Sequence, residues 1–178
     1  MGNPTEDGVM AISAVRQIHR DTYAAGVCDS LREFNAAVDE FANIVVPDIL
    51  ISFLRKMSLR ALVLVVDGTP VGNPDTWKRK PPPGYVGGRA RGNWQVTLNA
   101  PATSFLQRKD KTGDRTKEAG AKVLQRIRRL SEIVYISNNL PYIEALDLDQ
   151  HSPQAPDGII KPAIDILAAE ARALAWAR

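Results

Sequence analysis

Residues 93–98, Asn-Trp-Gln-Val-Thr-Leu, alternate Trp94, Val96 and Leu98 with polar side chains. Successive side chains of a strand point to opposite faces, so this alternation marks a half-buried β-strand. A second strand is expected at Glu132–Ser137, EIVYIS. Between and around these short strands the apolar period changes to that of a helix. Leu31, Phe34, Val38, Phe41, Val45, Ile49, Phe53, Met57 and Ala61 recur at steps of three or four, after a capping-box pattern at Ser30-Leu-Arg-Glu33. This stripe predicts one long helix to about Val66, with a kink or break near Pro47, which lacks a backbone donor and disfavours the helical state of Val46. Asp114–Leu130 reads as a basic amphipathic helix with Ala119, Val123, Ile127 and Leu130 inward. One helical turn at Pro141–Leu146 and a final helix from about Lys161 to Ala175 follow. Pro162 lies in the first turn of that helix, and Ala163, Ile164, Leu167, Ala171 and Leu174 form its apolar face. The order predicts an α+β fold: a long N-terminal helix and further helices packed on a small, mostly antiparallel sheet.

Residues 69–93 interrupt this regularity with five prolines from Pro70 to Pro83 and five glycines, a composition that holds neither a helix nor a central strand. The long loop at 69–92 is either functional or a linker, and the apolar segments on its two sides read as halves of one core. Residues 1–28 read as a short helix or an arm that orders on a partner, and 29–178 as a single α+β domain.

The chain has 178 residues, 44% hydrophobic, enough to bury its own core. Its longest apolar run, Ala61–Val66, is far too short to span a bilayer, and no signal peptide is expected. One cysteine, Cys28, excludes an internal disulfide and a multi-cysteine zinc site. The net charge of +3 hides an asymmetry. Residues 78–129 hold 14 Lys and Arg against Asp110, Asp114 and Glu118, a local net of +11, and the rest carries a net of −8. A basic middle suits nucleic acid or an acidic protein surface, and a solvated face is the plainer reading.

Signatures of catalysis are absent: no phosphate-binding loop, nucleophile elbow or metalloprotease helix occurs. Gly84, Gly87, Gly88 and Gly92 neither follow a strand nor open a helix, so they do not read as a nucleotide cradle. Asp147, Asp149 and His151 would point the same way if extended, but a polar turn explains them better than a metal. Cys28 beside Asp29 reads as structural. No enzyme activity, cofactor or metal is expected. The basic loop Lys78, Arg79, Lys80, Arg89 and Arg91 has Trp77, Tyr85 and Trp94 for company. Trp77 and Tyr85 fit either base-stacking or protein-interface anchors, and Trp94 belongs to the strand pattern.

Thr69-Pro70-Val71, Gly88-x-x-Arg91 leading into Trp94, Asn138-Asn-Leu-Pro-Tyr142 and Gln154-Ala-Pro156 occur in an order that resembles the tail-completion, or neck, proteins of long-tailed bacteriophages, the minor tail protein Z-like family. The resemblance covers roughly residues 35–165. It departs at an insertion between Val71 and Gly87 and at the N-terminal extension. It implies a structural virion protein, made in the host cytoplasm, that forms a homo-oligomeric ring, hexameric in that family, at the head-proximal end of the tail. Implied partners are other copies, a tail terminator or tail-tube protein, the head–tail connector, and DNA backbone in the channel, with no membrane. Interface candidates are Trp77, Lys78, Arg79, Lys80, Tyr85, Arg89, Arg91, Asn138, Asn139, Pro141 and Tyr142. Asn138 and Asn139 are expected to shape the turn after the strand, with Pro141 and Tyr142 anchoring its exit. A sequence-independent nucleic-acid-binding protein using the 78–129 region is the alternative.

Overall fold

The computed structural model describes residues 31–74, 80–81, 83–148 and 152–176, and shows an α+β protein. Helix α1 (Leu31–Glu40) passes through a π-helical turn (Phe41–Val45) into α2 (Val46–Gly68). A 3-10 turn (Arg91–Asn93) then leads into strand β1 (Gln95–Leu98). Helix α3 (Asp114–Leu124), strand β2 (Val134–Ser137), the short α4 (Ile143–Asp147) and α5 (Ile160–Trp176) complete the order. The chain divides into two compact units, one ending at Ser52 and one running from Phe53 to Arg178.

Within the first unit, Pro47 does not break the helix. A proline leaves the carbonyl four residues earlier without its helical partner and crowds it. The chain answers by widening one turn: the Val46 N–H donates to the Phe41 carbonyl, a five-residue step. The expected kink or break near Pro47 is therefore a π-helical turn with helix on both sides. No residue from Glu33 to Leu50 is buried. Ser30 of the expected capping box lies outside the described residues.

In the second unit the core contains Leu62, Val65, Val66, Trp94, Val96, Leu124, Ile127, Leu140 and Ile159. β1 and β2 pair antiparallel, with Val96 opposite Ile136 and Thr97 opposite Tyr135. The far end of the ladder is closed by Asn99, whose N–H donates to the Ile133 carbonyl at 2.8 Å while its Oδ1 accepts from the Ile133 N–H at 3.0 Å. The expected stripe through Phe53, Met57 and Ala61 is not the one that enters the core, and Phe53 is exposed. The buried face is Leu62, Val65 and Val66, shifted by one position. Ala61–Val66 is apolar throughout, so its own pattern could not choose a face.

Helix α3 ends at Leu124 rather than Leu130, and buries Thr116, Gly120 and Leu124 rather than Ala119 and Val123. Past Leu124 the backbone tightens, the Arg126 and Ile127 N–H groups donating to the carbonyls three residues back. Glu132 then accepts from the Arg128 and Arg129 N–H groups at 2.6 and 2.9 Å, turning the chain toward β2 instead of joining the strand. Arg55 of α2 donates to the Ile127 carbonyl. Ile127 is buried as expected, but Leu130 is exposed. In α5, Ala163 is buried, whereas Ile164 and Leu174 of the expected apolar face are exposed. Arg60 grips Glu170 of α5 through the Nε–Nη2 edge of its guanidinium, with contacts of 2.6–3.1 Å. No helix among the described residues is long and apolar enough to cross a membrane.

Candidate functional site

The loop after α2 is wired to the body by side chains reaching backbone groups. Buried Thr69 is the hub. Its hydroxyl donates to the Val65 carbonyl at 2.5 Å and accepts from the Trp94 indole N–H at 2.7 Å. Its carbonyl accepts from Arg91 Nη2 at 2.8 Å, and the same guanidinium reaches the Lys111 and Asp67 carbonyls. Two residues on, Gln154 uses its amide as a backbone mimic: Nε2 donates to the Val71 carbonyl at 3.0 Å, and Oε1 accepts from the Val71 N–H at 3.2 Å. A segment without regular structure thus has its polar groups satisfied from 83 residues away.

The Gly88–Trp94 segment is held as tightly. Gly88 adopts a φ of +88°, and a β-carbon there would lie 2.6 Å from the Asp110 and Lys111 backbone. Its carbonyl accepts from the Gly92 and Asp110 N–H groups. Asn93, fully buried, donates to the Arg89 carbonyl and accepts from the Leu106 N–H. Asn138 Nδ2 donates to the Ala90 carbonyl at 2.9 Å, and Asn139 Nδ2 to the Ala102 carbonyl at 2.6 Å. Asp110, only 5% exposed, accepts from the N–H groups of Gly113 and Thr116 and from the Thr116 hydroxyl at 2.8–2.9 Å, fixing the start of α3. Burial pushes its carboxyl upward, but these donors and the Thr112 hydroxyl outweigh that and hold it below its ordinary value.

These segments surround an open cleft of about 630 Å³, lined among others by Val71, Tyr85, Val86, Arg89, Lys109, Tyr142 and Gln154. Among the described residues its lining carries the cations Arg89 and Lys109 and no carboxylate. Arg89 also lies over the exposed Phe105 ring at 5.5 Å, within cation–π range. Partial burial raises the Tyr142 phenol above its ordinary pKa, Arg89 opposing and Tyr85 adding to the shift, so at neutral pH it keeps its proton and remains a donor. The described lining of the cleft offers cations, phenol groups and apolar walls.

Of the interface candidates, Tyr85, Arg89 and Tyr142 come together at this cleft. Arg91, Asn138 and Asn139 are instead committed to backbone carbonyls of their own chain. Pro141 and Lys80 are exposed. Trp77, Lys78 and Arg79 lie outside the described residues, as do Asp149 and His151. Asp147 accepts from the Ile159 and Ile160 N–H groups at 2.6 and 2.8 Å, capping α5. Lys109 was not among the sequence candidates, since within a basic run nothing local distinguishes it from its neighbours.

Comparisons with protein-family models, with curated proteins and with solved structures return no match.

Proposed function

We propose that this chain is a structural component of a long-tailed bacteriophage virion: a tail-completion or neck protein that assembles into a ring at the head-proximal end of the tail and joins it to the head connector. One observation carries the reading. The four segments that resemble the neck family are parts of one bonded assembly: Gln154 reads the Val71 backbone, Arg91 and Trp94 converge on Thr69, and Asn138 holds Ala90. Motifs scattered over roughly 90 residues would meet this way if they describe one folding unit whose loops are retained together. The Tyr85–Arg89–Tyr142 cleft supports a binding role, since aromatic and arginine side chains dominate protein-interface energetics. The reading involves no catalytic step and no cofactor.

Native mass spectrometry of the full chain, alone and with isolated tail tubes and connector, tests it. A closed ring in either sample is expected. A strict monomer in both overturns the reading.

A second reading, sequence-independent nucleic-acid binding, is favoured by the exposed cations Lys109, Lys111, Arg115, Lys122, Arg126, Arg128 and Arg129. Backbone binding by such a surface weakens steeply with salt, in proportion to the phosphates neutralised. A monomer retained on DNA at moderate salt would favour it over the ring.

A further inference from the structure

Between Glu33 and Ser52 stand four carboxylates, Glu33, Asp39, Glu40 and Asp48, and no lysine or arginine. Phe34, Val38 and Phe41 follow at steps of four and three, so they share one helix face. They are 54%, 47% and 44% exposed. A helical segment of this length gains most of its stability in water from packing an apolar face. Among the described residues nothing buries that face, and the segment that carries it is acidic.

The second unit presents the complement. Its cleft has Val86 and Tyr142 exposed at 45% and 41%, and among its described lining residues the charges are Arg89 and Lys109, with no carboxylate. One surface is apolar and acidic, the other apolar, aromatic and basic. We propose that the helical segment Glu33–Leu50 of one copy docks on the Arg89–Lys109 cleft of a second copy. Phe34, Val38 and Phe41 enter as anchors, and the segment's net negative charge is opposite to that of the two cations. This inference rests on the self-assembly proposed above and names the surfaces that would carry it. The mode is an amphipathic helix laid on a groove, in which a cleft of this size takes anchoring side chains rather than the whole helix. The two surfaces differ, so the contact is head-to-tail and propagates from copy to copy until the rotation closes a ring. Opposite charge sets the register and speeds encounter.

The test uses full-length protein with a benzoylphenylalanine photo-crosslinker in place of Val38, assembled from a mixture of isotopically heavy and light copies. Heavy–light peptides joining the 33–50 segment to residues 85–90, 109, 142–146 or 152–154 are expected. Products confined to one isotope, or heavy–light products landing on another surface, overturn the inference. Two variants read the same contact by sedimentation velocity: Phe34→Ser with Val38→Ser and Phe41→Ser, and Arg89→Glu with Lys109→Glu. Each alters exposed residues, so far-UV circular dichroism and Tm should hold while association weakens at least tenfold. If the wild type forms rings and neither variant disturbs them, the docking inference falls and the ring reading stands. If the wild type remains monomeric even with tail tubes and connector, both fall.

Discussion

At the residue scale, Trp94 and Asp110 carry the most structure per side chain. Trp94 is 4% exposed, and its indole N–H is bonded to the buried Thr69 hydroxyl. Trp94→Ala removes a large core volume and leaves that hydroxyl short of a donor, so a loss of about 3–5 kcal/mol is expected in urea unfolding. Unchanged stability would contradict a core role for the ring. Asp110 makes a pH-dependent contribution. Its folded pKa lies below the ordinary 3.8, so the fold favours the ionised form. Stability from this group is complete above the unfolded pKa and is lost as pH falls through the depressed folded value. Asp110→Asn should cost about 1–3 kcal/mol at pH 7, because it sets an amide donor against buried donors. The gap between wild type and variant should narrow as pH drops below the ordinary carboxyl range. Urea titrations at pH 7 and about pH 3 check this, and a gap independent of pH contradicts it.

Among the elements, the closest approach is at Gly120 of α3. A β-carbon there would stand 2.2 Å from Leu62 Cδ2 and 2.9 Å from Val96 Cγ2, so the glycine is what lets α2, α3 and β1 meet. Gly120→Val overpacks a site whose neighbours are themselves buried, and a loss of about 1–3 kcal/mol is expected. Thermal unfolding reads it, and a Tm equal to wild type would show that the three elements can separate without loss. Arg60–Glu170 links α2 to α5 in good geometry, but its side chains are 43% and 38% exposed. Screening by solvent keeps such a pair at or below about 1 kcal/mol, so α5 is held chiefly by burial of residues such as Ala163.

For the whole molecule, the predicted behaviour concerns surfaces rather than the core. The insertion at 72–86 carries Lys78, Arg79 and Lys80 beside Trp77, and its prolines reduce the ordering entropy lost on docking. Reversing the three charges to glutamate should leave the Tm of the isolated chain unchanged. In the proposed neck it should nevertheless block the joining of filled heads to finished tails. Infectious particles at the normal level from that triple variant would show that the insertion is only a solvated loop.

Local pattern alone was enough to read the α+β class, a strand within 93–98, the burial of Trp94 and a helix to about Val66, whereas Asn93 belongs to a 3-10 turn and the helix runs on to Gly68. These rest on side-chain period and on the backbone limits of proline and glycine, which the chain carries wherever it folds. Three things were decided only in the tertiary structure. The helix face that enters the core was one, because Ala61–Val66 offers apolar side chains in every direction. The early end of α3 was another, because Glu132 and Arg55 take up the backbone groups that a further turn would have used. The third was the cleft, where Arg89 meets Lys109 and Tyr142, and Gln154 meets Val71. Such meetings depend on long-range closure of the chain, and no local period records which distant residue will arrive.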